Sequence, residues 1–353
     1  MEELLVVKIF LMIFIPFLFV AFIMPFIRKL AIQINAVDKP RGRHLHKKTT
    51  PKLGGVAIFC GFLLGYMIFG VHSVIMNSVL IGSFIIILTG VIDDIVELKP
   101  RDKFIGQLAS ALVITFYGHL LINDISAFGI YLEFGILSYP LTIFFILGAI
   151  NCINLIDGLD GLAGGISSIY FLTIGIICAI QGQFGLEFVL TFVMFGSTIG
   201  FLVHNFYPAS IFAGDSGSMF LGFIISVIAL LGFKNVTLTS LIIPLLILAI
   251  PILDVLFAII RRTLKGESPF QADRFHIHYQ LLNRNFSTVQ TVIIIYIIDI
   301  LFASASIVYI LKDRVLGYFI YGLLLIIVVL FVLKTNVLFD KKILKEKFKK
   351  GKK

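Results

Sequence analysis

Apolar runs near the ~20 residues that cross a hydrocarbon core follow one another along this chain, separated by short polar connections. Eleven stand out, at about 4–27, 54–71, 78–93, 104–122, 137–155, 164–181, 187–205, 218–233, 239–260, 289–311 and 316–333. The third and eighth are short. The pattern predicts an all-α polytopic membrane protein of about eleven transmembrane helices, in one transmembrane domain over residues 1–353 that includes a basic tail at 334–353. The first run exceeds a signal-peptide core, is preceded by Glu2 and Glu3, and is followed by Arg28 and Lys29. That is the reverse of a cleavable signal. It is expected to stay in the bilayer with the N-terminus outside.

Basic residues assign the sides. Segments 28–52, 94–103, 261–288 and the tail from Lys334 hold eight, three, five and nine of them, so 25 of the 29 fall in alternate connections. Lys and Arg mark the cytoplasmic side, so an odd number of spans puts the C-terminus inside. The tail is also suited to anionic lipid.

Composition agrees. The 353 residues are 59% hydrophobic and 14% charged, with mean hydropathy +1.06. Soluble chains carry about 25% charge, so a water-coated globule and a nucleic-acid binder are both excluded. Cys60, Cys152 and Cys178 lie in apolar runs at no metal-ligand spacing, which supports neither a disulfide framework nor a zinc site.

Four polar islands then draw attention, because charge near a bilayer is costly and usually functional. All four fall on the expected cytoplasmic side. The first is DDIVELKPRDK, residues 93–103, where Asp93 and Asp94 close the third run and Lys103 heads the fourth. A cation there opposes the helix dipole, a conflict that a bound anion would relieve. In the second, NCINLIDGLDGLAGG at 151–165, Asn151, Asn154, Asp157 and Asp160 recur every third residue. That spacing lines their oxygens along one helix face, and Gly158 and Gly161 allow close backbone approach.

The third island, GDSGS at 214–218, opens the eighth run. Asp215 reads as a simple N-cap or as a hard-cation ligand beside free backbone amides suited to phosphate. The P-loop spacing and lysine are missing. The fourth island, SPFQADRFHIHY at 268–279, carries Arg274, His276 and His278. Histidines two apart do not face each other on a helix, so a zinc pair is disfavoured and phosphate donors fit better. The connection DKPRGRHLHKKTTPKLGG at 38–55 is a basic loop over lipid or a means of gathering an anionic substrate. Asp254, about two turns inside the ninth run, either lines a cleft or pairs with Arg261 or Arg262. Together the islands supply a cation ligand, phosphate-binding cations and polar groups for a base or sugar, which fits transfer of a phosphate-linked group to a lipid.

At DDIVELKPRDK, NCINLIDGLDGLAGG, AGDSGSMFLG and DRFHIH the sequence resembles the polyprenyl-phosphate N-acetylhexosamine-1-phosphate transferases, relatives of phospho-N-acetylmuramoyl-pentapeptide transferase. The motifs come in family order. SPFQADRFHIHY is similar to the bacterial enzymes that load GlcNAc-1-phosphate onto undecaprenyl phosphate for teichoic acid or other surface glycans. Tyr279 departs from that branch, which usually has another His there. The resemblance implies that Asp215 coordinates Mg²⁺, or Mn²⁺ in its place, with Asn154 nearby, and that Lys103 holds phosphate oxygens. It further implies that Asp157 and Asp160 line the nucleoside pocket, with Asn151, Gly158 and Gly161 in the same binding segment. Arg274, His276 and His278 would close over diphosphate and sugar, and Asp93 and Asp94 would face the lipid phosphate.

The implied reaction is direct attack by an undecaprenyl-phosphate oxygen on the sugar-bearing phosphorus of a UDP-N-acetylhexosamine, at the cytoplasmic face of the cell membrane. The rival chemistry is a two-step route through an aspartyl-phosphate. A pentapeptide transferase is the rival within the family, and a multi-span transporter the rival outside it. A homodimer is compatible with the reading.

Overall fold

Helices with small residues at their contacts dominate the computed structural model, which describes residues 2–38, 49–127, 130–233, 245, 247–266, 276–311 and 314–334. The described residues divide into two compact units, Met1–Pro244 and Leu245–Lys353. Each is described by itself.

The first unit holds α1 (Glu2–Gln33), α2 (Gly54–Phe69), α3 (Val74–Val96), α4 (Pro100–Leu112), α5 (Ser138–Ile156), α6 (Leu162–Gln181), α7 (Leu186–Asn205) and α8 (Gly214–Phe233). α8 is the hub, packed on α2, α3, α5, α6 and α7. Between apolar helices in lipid there is little hydrophobic gain, so close backbone approach does much of the work. Gly55 of α2 lies on Gly217, Gly90 of α3 lies on Ser216, and Gly222 of α8 lies on Ala149 and Ile150 of α5. A Cβ on Gly90 would run into the Ser216 backbone. α1 is peripheral, packing on α2 and α7 and leaving Leu4, Phe10, Phe22 and Phe26 exposed. That apolar surface suits lipid.

Among the described residues seven helices are long and apolar enough to cross a membrane, and two apolar helices are shorter. The all-α polytopic class stands. Boundaries differ from expectation most clearly at the third and fourth runs. The third run extends back to Val74, because Ser73 caps it by accepting the Met76 N–H at 3.0 Å. The fourth is shorter: α4 passes into a wide helical turn at Val113–Tyr117 and stops there. Beyond it a β-hairpin pairs Asp124–Ala127 with Ile130–Glu133. Of the ninth run, 239–244 and Leu246 lie outside the described residues.

The second unit holds α9 (Ala249–Lys265), the short α10 (Ile277–Leu282), α11 (Thr288–Ile310) and α12 (Arg314–Lys334). Ser287 and Gln290 form a capping box at the start of α11. Arg274, the loop 39–48 and the tail beyond Lys334 lie outside the described residues.

Candidate active site

The chemistry gathers where α3, α4, α5 and α8 end or begin. α8 starts at Gly214, so Asp215 lies inside its first turn and is not the cap. The cap comes from another helix. Asp94, 4% exposed, accepts the Asp215 N–H at 2.9 Å through Oδ1. Its Oδ2 accepts the Ser216 N–H at 3.1 Å and the Ser216 hydroxyl at 2.7 Å. The first amides of a helix have no partner of their own, and a negative charge there is favoured by the dipole. The expectation that these amides are free for phosphate is therefore corrected: a carboxylate held in place by α3 occupies them. Gly214, at φ +72°, lets that carboxylate pass, since a Cβ would strike it.

With its backbone held, the Asp215 side chain faces Lys103 and Asn154. Lys103 Nζ lies 2.5 Å from Asp93 Oδ2 and 3.3 Å from Asp215 Oδ2. The conflict between Lys103 and the α4 dipole is thus relieved by carboxylates of the chain itself. Asn154 Nδ2 donates to Asp215 Oδ1 at 2.6 Å and to the Ser218 hydroxyl at 2.8 Å. Asp93 Oδ1 accepts the Leu98 N–H at 2.7 Å, which sets the turn between α3 and α4. Asp93 is nearly buried, whereas Asp215 and Lys103 each keep about a quarter of their side chain exposed (24% and 26%). Those two keep surface that a ligand can reach, as do the partly exposed Asn154 and Asp157.

The second island divides. α5 ends at Ile156, and Asp157 is its C-cap at φ −73°, ψ 55°. The expected single helical face therefore carries only Asn151 and Asn154. Asn151 Nδ2 donates to Gln107 Oε1 at 2.9 Å, and Gln107 Nε2 contacts Met219 Sδ at 3.4 Å, joining α4, α5 and α8. Asp160 is buried, and its Oδ2 accepts the Ala209 N–H at 2.9 Å. The Gly161 N–H donates to Asn205 Oδ1 at 3.0 Å, and the Gly158 N–H donates to the Ile156 carbonyl at 2.7 Å. Asp160 and Gly161 thus tie their turn to the connection after α7 and to the last residue of α7. Burial pushes the Asp157 carboxyl up to about 8, helped by Asp215, Asp94 and Asp160 and opposed by Lys52.

Lys52 went unnoticed among the other basic residues of its loop. Val37–Asp38 pair antiparallel with Thr50–Pro51, the Pro51 carbonyl accepts the Phe212 N–H at 2.8 Å, and Gly55 donates to Ala213 at 3.0 Å. This ribbon fixes Lys52 on a cavity of about 200 Å³ with Asn35, Asp94 and Glu97. Gln107 was missed as well. Its signal was present, since it follows Lys103 by one turn on the same helix.

In the second unit, Asp254 is 2% exposed. Its Oδ2 lies 2.9 Å from His276 Nδ1, and its Oδ1 accepts the Ile277 N–H at 2.8 Å. His276 is a partner that the spacing of Asp254, Arg261 and Arg262 does not predict. His276 precedes α10 in extended backbone, φ −61° and ψ 154°, which is why the two imidazoles stack at 5.7 Å and 3° despite their spacing. His278 is 1% exposed, and burial holds its ring down to about 4, with His276 adding to this and Asp254 opposing it. It is neutral at ordinary pH, so it is no fixed cation for phosphate.

A pair of partly exposed opposite charges, steadied by buried amides and carboxylates, stands at the ends of apolar helices. The chain belongs to the glycosyl transferase family 4, which matches residues 76–233, the stretch that holds Asp93, Lys103, Asn154 and Asp215. Over 292 residues it is 39% identical to the "Probable undecaprenyl-phosphate N-acetylglucosaminyl 1-phosphate transferase" of Bacillus subtilis (strain 168), covering 82% of this chain and 81% of that one. It is 31% identical over 302 residues to the decaprenyl-phosphate N-acetylglucosaminephosphotransferase of Mycolicibacterium smegmatis, covering 77% and 74%. It is 30% identical over 298 residues to the undecaprenyl-phosphate alpha-N-acetylglucosaminyl 1-phosphate transferase of Escherichia coli (strain K12), covering 82% and 81%.

Proposed function

We propose that this chain transfers N-acetylglucosamine 1-phosphate from UDP-N-acetylglucosamine to undecaprenyl phosphate, releasing UMP, as the first membrane step of teichoic acid or another cell-surface glycan. The observation that carries the reading is the convergence of Asp215, Lys103, Asp93 and Asn154 at the ends of apolar helices. The names of the relatives, which pair a polyprenyl phosphate with N-acetylglucosamine, support it. The basic-residue asymmetry supports a cytoplasmic opening, on the side where a nucleotide sugar is available.

The donor set suits Mg²⁺, with Mn²⁺ as a substitute. Among the described residues no three His, Cys, Asp or Glu side chains gather into a metal cage. Mg²⁺ does not need one, because it uses one or two carboxylates and completes its shell with water and substrate phosphates. Asp215 would hold it, with Asn154 steadying Oδ1. When bound, the ion would neutralise charge on the donor diphosphate.

The remaining roles fall to the chain's own residues. An oxygen of undecaprenyl phosphate forms a bond to the sugar-bearing phosphorus as the bond from that phosphorus to UMP breaks. A phosphate monoester has its second pKa near ~6, so the nucleophile is already ionised and a general base adds little. Asp93 and Asp94 then serve to position Lys103 and the start of α8, which favours direct attack over an aspartyl-phosphate. Lys103 draws the two anions together and stabilises charge that develops in the transition state. Asp157, carrying its proton at neutral pH, can donate to a carbonyl of the base, and the resemblance assigns Arg274, His276 and His278 to diphosphate and sugar.

The test is conversion of labelled UDP-GlcNAc and undecaprenyl phosphate to labelled lipid and UMP by purified protein, with Mg²⁺ or with EDTA. Labelled lipid with Mg²⁺ alone is expected. No lipid product under either condition would overturn the assignment, and parallel UDP-sugars would define the hexosamine.

A further inference from the structure

The cavity beside Lys52 lies at the end of α3, a helix whose outer face is apolar. We infer that this cavity takes the phosphate of the polyprenyl acceptor, with the Lys52 amine as its cation and the tail lying along α3. The inference rests on the acceptor proposed above and gives its phosphate a place and a residue.

Size and lining point to a headgroup. A volume of about 200 Å³ falls below the ~300–1,000 Å³ of pockets that enclose a drug-sized ligand. It is too small to enclose a nucleotide sugar, and it has room for a phosphate whose chain stays outside. Besides its polar groups the cavity is lined by Val37, Ile95 and Val96, and the last two are 40% and 64% exposed. Ile81, Phe84, Leu88 and Ile92 are exposed too and continue the same face of α3 at steps of three and four residues. The opposite face carries Gly90 and Asp94 against α8. An apolar track therefore runs along the span to a cavity that holds a cation, which matches a molecule with a long apolar chain and an anionic end.

The charges sort in the same sense. Lys52 is partly exposed, and among the described residues its amine makes no ion pair. Its backbone is fixed, because its N–H donates to the Ala36 carbonyl at 2.9 Å and the residue bridges to Phe212. Two carboxylates share the wall. Asp94 has both oxygens committed to the start of α8, where the helix dipole offsets its charge. Glu97 is exposed, and solvent ions screen it. Lys52 acts electrostatically on Asp157, as do Asp94 and Asp215, so a phosphate held by Lys52 stands near the carboxylates of the active site. Lys103, by contrast, is already shared by Asp93 and Asp215.

Lys52→Gln removes the charge and keeps the backbone bonds. In steady-state assays of the full-length protein it should raise KM for undecaprenyl phosphate by about 10-fold, the scale of one hydrogen bond to a charged group. KM for UDP-GlcNAc and the thermal midpoint should stay unchanged, and Lys52→Arg should restore most of the loss. Val96→Asp, at the exposed rim, should raise the same KM and leave the donor KM alone. Binding without donor is read by native mass spectrometry with undecaprenyl phosphate and undecaprenol. Wild type should hold the phosphate form about 10-fold more tightly than the alcohol, and Lys52→Gln should hold the two alike.

A rise in the UDP-GlcNAc KM alone would hand Lys52 to the donor and overturn the inference. An undiminished preference for the phosphate form in Lys52→Gln would also overturn it. So would equal rises in both KM values with a fallen midpoint, the mark of a purely structural residue. If wild type made no lipid product, the functional reading would fail by itself, and the binding comparison would still decide whether Lys52 holds a polyprenyl phosphate.

Discussion

Two carboxylates in this protein perform the same local task with different surroundings. Asp94 of α3 accepts the first amides of α8, and Asp254 of α9 accepts the first amide of α10. Each closes a helix end that would otherwise leave buried donors unsatisfied. Around Asp94 the remaining partner is a serine hydroxyl, and the neighbouring Asp215 stays a quarter exposed. Around Asp254 the remaining partner is an imidazole, and the histidines beside it are buried. One clamp therefore lies beside a charge that keeps solvent-exposed surface, and the other lies against a buried ring. A shared capping device says little about chemistry; what the capped helix carries next to it decides.

The sharpest way to test that contrast is to remove the presented charge. Asp215→Asn should lower lipid-product formation by ~10³-fold, in the range seen when a preorganised electrostatic group is lost, while the thermal midpoint stays near wild type. A variant that turned over normally would remove Asp215 from the chemistry. Lys103→Met comes next, at about 10²-fold. It should also lower the midpoint, because Asp93 and Asp215 lose the cation they share.

The clamps themselves should differ in stability. Asp94→Ala removes three hydrogen bonds to a charged group, each worth about 1.5–3 kcal/mol and not additive, so detergent unfolding should show a loss of about 2–4 kcal/mol. Asp254→Ala loses two such bonds and should cost less. The opposite ranking would mean that α8 is held mainly by its glycine contacts.

Asp157 offers a smaller, pH-dependent effect. Its carboxyl is held protonated in the fold up to about 8 but titrates near 3.8 when unfolded. Between those values the folded state binds the extra proton, so stability falls as pH rises through the window and levels off above it. Asp157→Asn should flatten that slope in unfolding curves taken across the window. Smallest of all is Asn151→Leu. Interhelical polar pairs in membranes average about 0.6 kcal/mol, and loss of the Gln107 pair should cost about that much in the same assay.

Much of this was legible along the chain. Apolar runs located the helices because a spanning segment must satisfy its backbone internally and show apolar side chains to lipid. The islands named Asp93, Lys103, Asn154 and Asp215 because polar groups at the ends of such runs need a reason to be there. Periodicity misled at Asp157 and Asp160, where the helix had already ended and the threefold spacing no longer meant a shared face. It misled again at His276, whose extended backbone turns its ring onto His278. The role of Asp94 was invisible, since nothing at residue 94 announces that residues 215 and 216 will lie against it.

The sequence by itself determined a polytopic helical membrane protein of the polyprenyl-phosphate transferase kind and the residue types of its site, because hydropathy and short motifs are local properties. Only the tertiary structure decided which carboxylate is presented and which is spent. Asp94 is consumed as a cap, Asp93 holds Lys103, and Asp215 remains reachable. Those assignments depend on how closely Gly55 and Gly90 let α2 and α3 approach α8, and a distance between helices is written in no single stretch of chain.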